Sequence, residues 1–269
     1  MSNFTSCLSI HSLRFVFAAL ALAAGVASAA SAEETAPWKL GAKLSFDRNE
    51  GRYGQADLSR DKSTTLTLGL DTEQYAFDLL LPYVVQTGPG RRIALGGRRA
   101  VVLIAPDRTS QGKGDATLGV TRYLFNEESH GIDLDLGATY KFATASATKG
   151  LGSGKDDISV QVALGKSVGP LALNLTGGYT VVGKPDGQDY RNSGYASVDA
   201  SVRPWRPLTL GVTLSYGGAS AAGVATTREV TLYAAYSFDK QTRLELHALE
   251  GHSTQSPDRG WGATFSKDF

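Results

Sequence analysis

The chain has 269 residues, with 27 basic and 26 acidic side chains and a mean hydropathy of −0.15. The balanced charge argues against nucleic-acid binding, which usually accompanies a basic excess. A single cysteine excludes a disulfide framework within the chain.

The first 32 residues predict a cleaved export signal rather than part of the fold. Arg14 provides a basic start, residues 15–24 form an apolar core, and the small residues at 27–29 and 30–32 both fit a cleavage site. We favour cleavage after Ala32, because two acidic residues then begin the mature chain. A retained membrane anchor is disfavoured, since the apolar run is shorter than the about 20 residues that a spanning helix needs.

Cleavage removes one basic residue and no acidic residue, so the mature chain has 26 of each sign. It also removes Cys7, and with it any cysteine metal site. We therefore expect one domain, residues 33–269, with no metal, no cofactor and no nucleic-acid partner.

Period-two alternation of apolar and polar residues recurs along this domain. Each segment is about as long as a tilted membrane-spanning strand. Twelve segments show the pattern, an even number as in bacterial single-chain barrels. They are 38–46, 66–70, 75–85, 116–120, 132–142, 158–164, 171–181, 196–202, 208–216, 230–238, 244–248 and 261–269.

The connections between these segments alternate between short and long. Outer-membrane barrels have short periplasmic turns and long extracellular loops, whereas a secreted soluble β-fold, the alternative, has no reason to sort its loops. The sequence therefore predicts an all-β, transmembrane antiparallel barrel of about 12 strands with periplasmic termini, in a Gram-negative outer membrane. The short connections are 71–73, 126–130, 168–170, 204–207 and 239–241; the long ones are 49–62, 86–114, 144–154, 183–193, 217–227 and 251–258.

Aromatic residues support the membrane interpretation, because they concentrate near strand ends where interfacial girdles form. The last segment alternates to a terminal aromatic, and we interpret Phe265 and Phe269 as a signal read by the barrel-assembly machinery. Outer-membrane lipids are the other expected partner. The outward aromatics are Trp38, Tyr75, Phe77, Phe238 and Phe269 near short turns, and Tyr83, Tyr140, Phe142, Tyr179 and Tyr216 near long loops.

Four glycine-rich motifs resemble a known family: residues 114–123 (GDATLGVTRY), 137–144 (GATYKFAT), 150–157 (GLGSGKDD) and 177–183 (GGYTVVG). They are similar to outer-membrane proteins linked to the meta-cleavage pathway of phenol degradation, which are often labelled transporters. The resemblance spans about residues 110–269 and implies passage of small solutes, including aromatic or hydrophobic ones. At residues 143–145 this chain has Ala-Thr-Ala where the family often has Pro-Thr-Gly.

The strand parity that faces lipid leaves the other parity facing the lumen. A ring of mixed charges there can select solutes, or the same side chains can pair with one another and fill the bore. The sequence leaves both interpretations open. The inward positions near mid-height are Lys43, Asp78, Gln161, Asn174, Asp199, Tyr233, Glu245 and His247.

The hypothesis of an enzyme has less support than that of a channel, because no serine, histidine and acidic residue occur at a spacing suited to catalysis. His247 has lumen parity, His252-Ser253 lies in a loop and His130 lies in a short turn. The acidic pairs 133/135 and 156/157 lack the spacing of a calcium loop. We therefore expect a channel or transporter rather than an enzyme. The alternatives are a structural or surface-interaction barrel with a plugged lumen and, less favoured, a lipid enzyme.

The longest predicted loop carries the densest charge, at Arg91, Arg92, Arg98 and Arg99, followed by apolar residues 100–105. Three interpretations remain open. The arginines could bind lipopolysaccharide phosphates bidentately, the apolar half could fold into the mouth as a constriction, or the loop could be solvated and mobile.

Overall fold

The computed structural model describes residues 38–95, 99–104, 109–185, 187, 189–221 and 224–269. The predicted export signal lies outside the described residues. Within these residues, fifteen strands and one short helix follow each other, with a 3₁₀ turn at Ala147–Lys149. They are β1 (Trp38–Gly51), β2 (Ser59–Thr72), β3 (Tyr75–Thr87), β4 (Gly90–Leu95), β5 (Arg99–Ile104), β6 (Ser110–Lys113), β7 (Thr117–Phe125), α1 (Glu127–His130), β8 (Asp133–Lys141), β9 (Asp157–Val168), β10 (Leu171–Val182), β11 (Ser193–Trp205), β12 (Leu208–Gly217), β13 (Thr227–Ser237), β14 (Thr242–Gly251) and β15 (Arg259–Asp268).

Twelve of these strands form one closed antiparallel barrel, as the alternation predicts. Neighbours in sequence pair around the wall, and β1 closes it by pairing with both β2 and β15. Closure leaves the wall without an unpaired edge. Of the described residues, none belongs to a helix long and apolar enough to cross a bilayer.

One wall position is shared by two strands. β3 pairs with β7 over Tyr75–Leu80 and with β6 over Tyr83–Gln86. Pro82 lies between these stretches, and it has no amide hydrogen to donate to a ladder. Its carbonyl accepts the Gly114 amide at 2.9 Å, so the chain steps from β6 to β7 at this point.

The alternation sorts side chains onto two faces, because successive residues of a strand point to opposite sides of the sheet. Large apolar residues are exposed on one parity of each strand, which is the outer face. Exposed apolar residues of β9 and β10 show it: Ile158, Val160, Val162, Leu164, Leu173, Leu175, Tyr179 and Val181. The exceptions, Tyr123 and Phe125 on β7 and Trp205 on β11, lie at irregularities of the register.

Aromatic side chains lie at both ends of the outer face, in the girdle arrangement that the sequence indicates. Trp38, Phe77 and Phe238 are exposed near the short turns, and Phe142 and Tyr216 are exposed near the long loops. Amphipathic rings favour the two interfaces of a bilayer, so the presence of aromatic residues at both ends of the strands fits a membrane-spanning wall.

Several predicted connections are shorter or more ordered than expected. β1 and β2 remain paired beyond the apolar pattern, through Asn49↔Asp61 to Gly51↔Ser59. There Asn49 donates to the Asp61 carboxylate at 3.2 Å. Because these paired residues are polar, they show no apolar alternation, and the sequence pattern therefore predicted strands shorter than those in the structure. The turn 126–130 is a helical turn, α1, capped by the Asn126 side chain, and residues 86–114 contain β4, β5 and β6.

A buried ion cluster ties the loop between β8 and β9 to the wall. The Lys141 ammonium is fully enclosed, 3.1 Å from Asp115 and 3.0 Å from Asp157, whose side chains are also enclosed. It also donates to Ser153 Oγ at 3.0 Å and to the Lys155 carbonyl at 2.9 Å. Buried charges require such partners, and here the loop itself provides two of them.

The hairpin β4–β5 folds against the inner side of the barrel mouth. Ile93 on β4 is 1% exposed and forms an apolar cluster with Val182 and Tyr190, against which Ala221 and Val224 also pack. Val182 has inward parity on β10. The hairpin follows β3 in the chain, and β3 is several strands away from β10 around the wall. The hairpin therefore crosses part of the mouth. Burial raises the pKa of the Tyr190 hydroxyl.

Candidate functional site

The inner face of the barrel carries the residues that the parity argument assigned to the lumen. Three of the eight, Lys43, Asp78 and Gln161, line one cavity of about 240 Å³. They come from β1, β3 and β9, so the closed wall brings together residues that are far apart in sequence. The rest of the cavity wall includes Leu80 and the small residues Thr67, Thr117, Gly119, Gly137 and Thr139.

Glycines make room for large inward side chains on the neighbouring strand. Tyr233 lies across from Gly211, and a Cβ on Gly211 would come within 2.2 Å of the tyrosine ring. In the same way, a Cβ on Gly262 would come within 2.6 Å of the His247 ring, and a Cβ on Gly137 would come within 2.7 Å of the Gln161 side chain. These side chains therefore lie along the wall rather than across the bore.

Asp199 belongs to a hydrogen-bonded group on the β11–β13 side of the lumen. Its carboxylate accepts from Thr213 Oγ1 at 2.8 Å and from the Tyr233 hydroxyl at 3.2 Å. The two predicted residues Asp199 and Tyr233 are thus in direct contact. Charge satisfied by fixed donors favours a structural contribution at this position.

His247 pairs with a residue that the parity list omitted, Asp47. Its Nε2 lies 3.1 Å from Asp47 Oδ1, and Ser63 donates to the other oxygen of Asp47 at 3.5 Å. A catalytic triad needs the imidazole between the hydroxyl and the carboxylate. Here the carboxylate lies between them, so the group lacks the geometry of a nucleophile and its base.

His130 and Asp156 have structural contacts. His130 stacks on Phe125 with ring centroids 4.7 Å apart. Asp156 accepts hydrogen bonds from the Tyr140 hydroxyl and the Ala143 amide, and these bonds lower the pKa of its carboxyl. Within the described residues no cluster of three or more histidine, cysteine or acidic side chains could hold a metal ion.

The remaining predicted lumen residues lie toward the short-turn end rather than at mid-height. Glu245 is paired with Arg243 on its own strand, at 2.8 Å. Asn174 lines a second cavity of about 350 Å³, together with Glu73, Tyr123, Asp133 and Asp135. This cavity opens among the turns at the ends of β2, β7 and β9, so Asn174 lies at the mouth of the lumen.

The arginine-rich segment is a hairpin rather than an irregular loop. Arg91 and Arg92 lie on β4 and Arg99 begins β5, while Arg98 lies outside the described residues. Ile93, within the arginine-bearing half, packs into the mouth. Entry of the apolar half into the mouth and lipopolysaccharide binding by the arginines stay predictions.

The chain terminus continues the seam that closes the barrel. Phe265 points outward on β15, and the Phe269 amide donates to the Leu40 carbonyl at 2.8 Å. Recognition of these residues by the assembly machinery stays a prediction.

Sequence reasoning missed Leu80, Tyr195 and Asp47, which lie in or beside the lumen network. Tyr195 donates to Gln161 Oε1 at 3.1 Å. Parity alone could have identified all three as inward. Their roles depend on cross-strand register, which places Tyr195 against Gly178 and needs the structure.

Comparison with known proteins supports the fold. Searches against family models and curated proteins found no match. The fold is similar to the crystal structure of the COG4313 outer membrane channel from Pseudomonas putida F1, with a TM-score of 0.69 and 14% identity, covering 89% of this chain and 98% of that one. At this identity the similarity establishes the fold alone.

Two further barrels align less well. The toluene transporter TodX of P. putida has a TM-score of 0.47 and 15% identity over 88% of this chain and 80% of its own. The translocator domain of the autotransporter NalP from Neisseria meningitidis has a TM-score of 0.46 and 13% identity over 94% and 97%. These weaker alignments carry no argument about activity.

Proposed function

We propose that this chain is an outer-membrane channel for small solutes. The observation that carries the proposal is a closed barrel with an apolar outer face and a polar inner face, whose wall encloses a cavity of about 240 Å³ lined by Lys43, Asp78 and Gln161. Charged side chains that line a pore are a general means of solute selection. The family resemblance extends the proposal to aromatic or hydrophobic solutes.

Two strand glycines provide a matched test in planar lipid bilayers. Gly119 lines the cavity, and a Cβ there would meet nothing closer than 3.9 Å. Gly177 faces outward on β10, with nothing within 4 Å. Gly119→Trp should lower the single-channel conductance of the reconstituted protein, because the ring enters the lumen, whereas Gly177→Trp should leave it unchanged.

A wild-type protein that inserts and folds but conducts no ions would contradict the proposal. Equal conductance of the two tryptophan variants would show that ions bypass this cavity.

The second candidate is a structural or surface-interaction barrel with a plugged lumen. The packing of Ile93 against Val182 at the mouth favours it, because the hairpin reduces the opening. The same recordings separate the two candidates, since a plugged barrel conducts nothing. An outer-membrane lipid enzyme has the least support, given the order of groups around His247.

A further inference from the structure

Lys43 and Asp78 differ from the three other ionisable residues among the predicted lumen positions, Asp199, Glu245 and His247. His247 is paired with Asp47, Glu245 with Arg243, and Asp199 with Thr213 and Tyr233. Over the part of the chain that the structure describes, no hydrogen bond or ion pair is formed by the Lys43 ammonium or the Asp78 carboxylate. Both nevertheless line the same cavity.

Cross-strand register explains why the two charges do not neutralise each other. Lys43 lies opposite Thr67 on β2, and Asp78 lies opposite Gly69, two residues further along that strand. The intervening strand therefore presents a small hydroxyl and a bare glycine between them. The space between the charges is open to a solute.

The cavity also offers one apolar group and one amide. Leu80 is inward, two residues from Asp78, and lies opposite Thr67 and Thr117. Gln161 lies over Gly137 with its carbonyl oxygen occupied by the Tyr195 hydroxyl, which orients the amide.

The cavity of about 240 Å³ has room for a small solute. We propose that this cavity is a subsite for small zwitterions with a short apolar side chain, typified by aliphatic amino acids. The solute carboxylate binds Lys43, its ammonium binds Asp78, and its side chain contacts Leu80. This inference rests on the proposed channel function and specifies one class of solute for it.

Three probes with the same apolar side chain test the inference by block of single-channel current at low ionic strength, where screening is weak. They are leucine, 4-methylpentanoate, which lacks the amine, and 3-methylbutylamine, which lacks the carboxylate. We expect leucine to block at about tenfold lower concentration than either analogue, since each charge-assisted contact contributes about that factor.

Lys43→Met and Asp78→Asn should each raise the half-blocking concentration of leucine about tenfold. Lys43→Met should leave the half-blocking concentration of 3-methylbutylamine nearly unchanged, and Asp78→Asn should do the same for 4-methylpentanoate. Lys39→Met and Asp268→Asn are matched controls, because both residues have inward parity at the short-turn end and neither lines the cavity. The exchange variant Lys43→Asp/Asp78→Lys should keep leucine block, since a zwitterion can bind in the reverse orientation.

Leucine block no stronger than block by 4-methylpentanoate would overturn the inference, as would leucine block unaffected by Lys43→Met. In either case, continued ion conductance would leave the proposed channel function intact. A protein that conducts no ions would overturn both.

Discussion

At the residue scale, burial decides which charges stabilise the barrel. Lys141 and its two aspartates are removed from solvent, whereas the Lys166–Glu127 pair, at a similar 3.0 Å, has side chains 47% and 25% exposed. Exposed pairs contribute about 0–1 kcal/mol because solvent screens them. Removing one partner of a buried group leaves the other charge uncompensated, which costs about 3–5 kcal/mol.

Lys141→Met should therefore lower the free energy of unfolding by about 3–5 kcal/mol, because Asp115 and Asp157 then remain buried side by side. The temperature at which the folded gel band converts to the unfolded one measures the effect. Lys166→Met is the control and should cost less than about 1 kcal/mol. An equal loss of unfolding free energy in the two variants would show that the buried cluster stabilises the barrel no more than an exposed ion pair.

The resemblance motifs converge on this cluster. Asp115, Lys141, Ser153 and Asp157 each come from one of the glycine-rich stretches, and the Gly183 amide donates to Asp157 at 2.9 Å. The motifs therefore have a structural reason to occur together, in addition to any role in transport.

At the element scale, adjacent strands pack together where a large inward side chain on one strand lies over a glycine on the next. Tyr233 on β13 occupies the space that Gly211 leaves on β12, and its hydroxyl reaches Asp199 on β11. One tyrosine thus links three strands along the inner wall. A side chain on the glycine would push the ring off the wall.

Gly211→Ala should destabilise the barrel by about 1–3 kcal/mol through overpacking. Gly177→Ala, on the open outer face, should change stability by less than about 0.5 kcal/mol. Combining Gly211→Ala with Tyr233→Ala should cost less than the two single changes together, because the clash is then gone. Strict additivity in urea unfolding would argue against the contact.

We expect the β4–β5 hairpin to limit access from the loop end. Ile93→Asp places a charge in the apolar cluster with Val182 and Tyr190, which is unfavourable unless the hairpin detaches. We expect larger conductance and faster protease cleavage within the hairpin. Ile93→Val keeps the packing and should behave as wild type, and unchanged conductance in Ile93→Asp would mean that the hairpin does not limit passage.

At the scale of the whole molecule, the seam between β1 and β15 makes the barrel a closed unit. Ten residue pairs join the two strands, from Gly41↔Asp268 to Glu50↔Arg259, and the Phe269 amide adds a bond to Leu40. A strand that fails to close this seam leaves two edges open to other chains.

Deletion of Phe269 should reduce the amount of folded, heat-modifiable protein in the outer membrane, while molecules that do fold unfold at nearly the wild-type temperature. That combination separates recognition by the assembly machinery from a loss of stability. Phe269→Tyr, which keeps an aromatic residue at the terminus, is the control and should assemble normally. Normal yields after deletion would remove the terminal residue from assembly.

The amino-acid sequence determined the barrel, its strand number and its inward parity, because period-two alternation and sorted loops are local consequences of a wall between lipid and water. Lys43, Asp78 and Gln161 could be identified as inward from parity alone. Only the tertiary structure decided that these three share one cavity, that Asp199 and His247 are already paired, and that Ile93 enters the mouth. Those facts depend on which residues face each other across strands, and register is set by the closed wall as a whole rather than by any single segment.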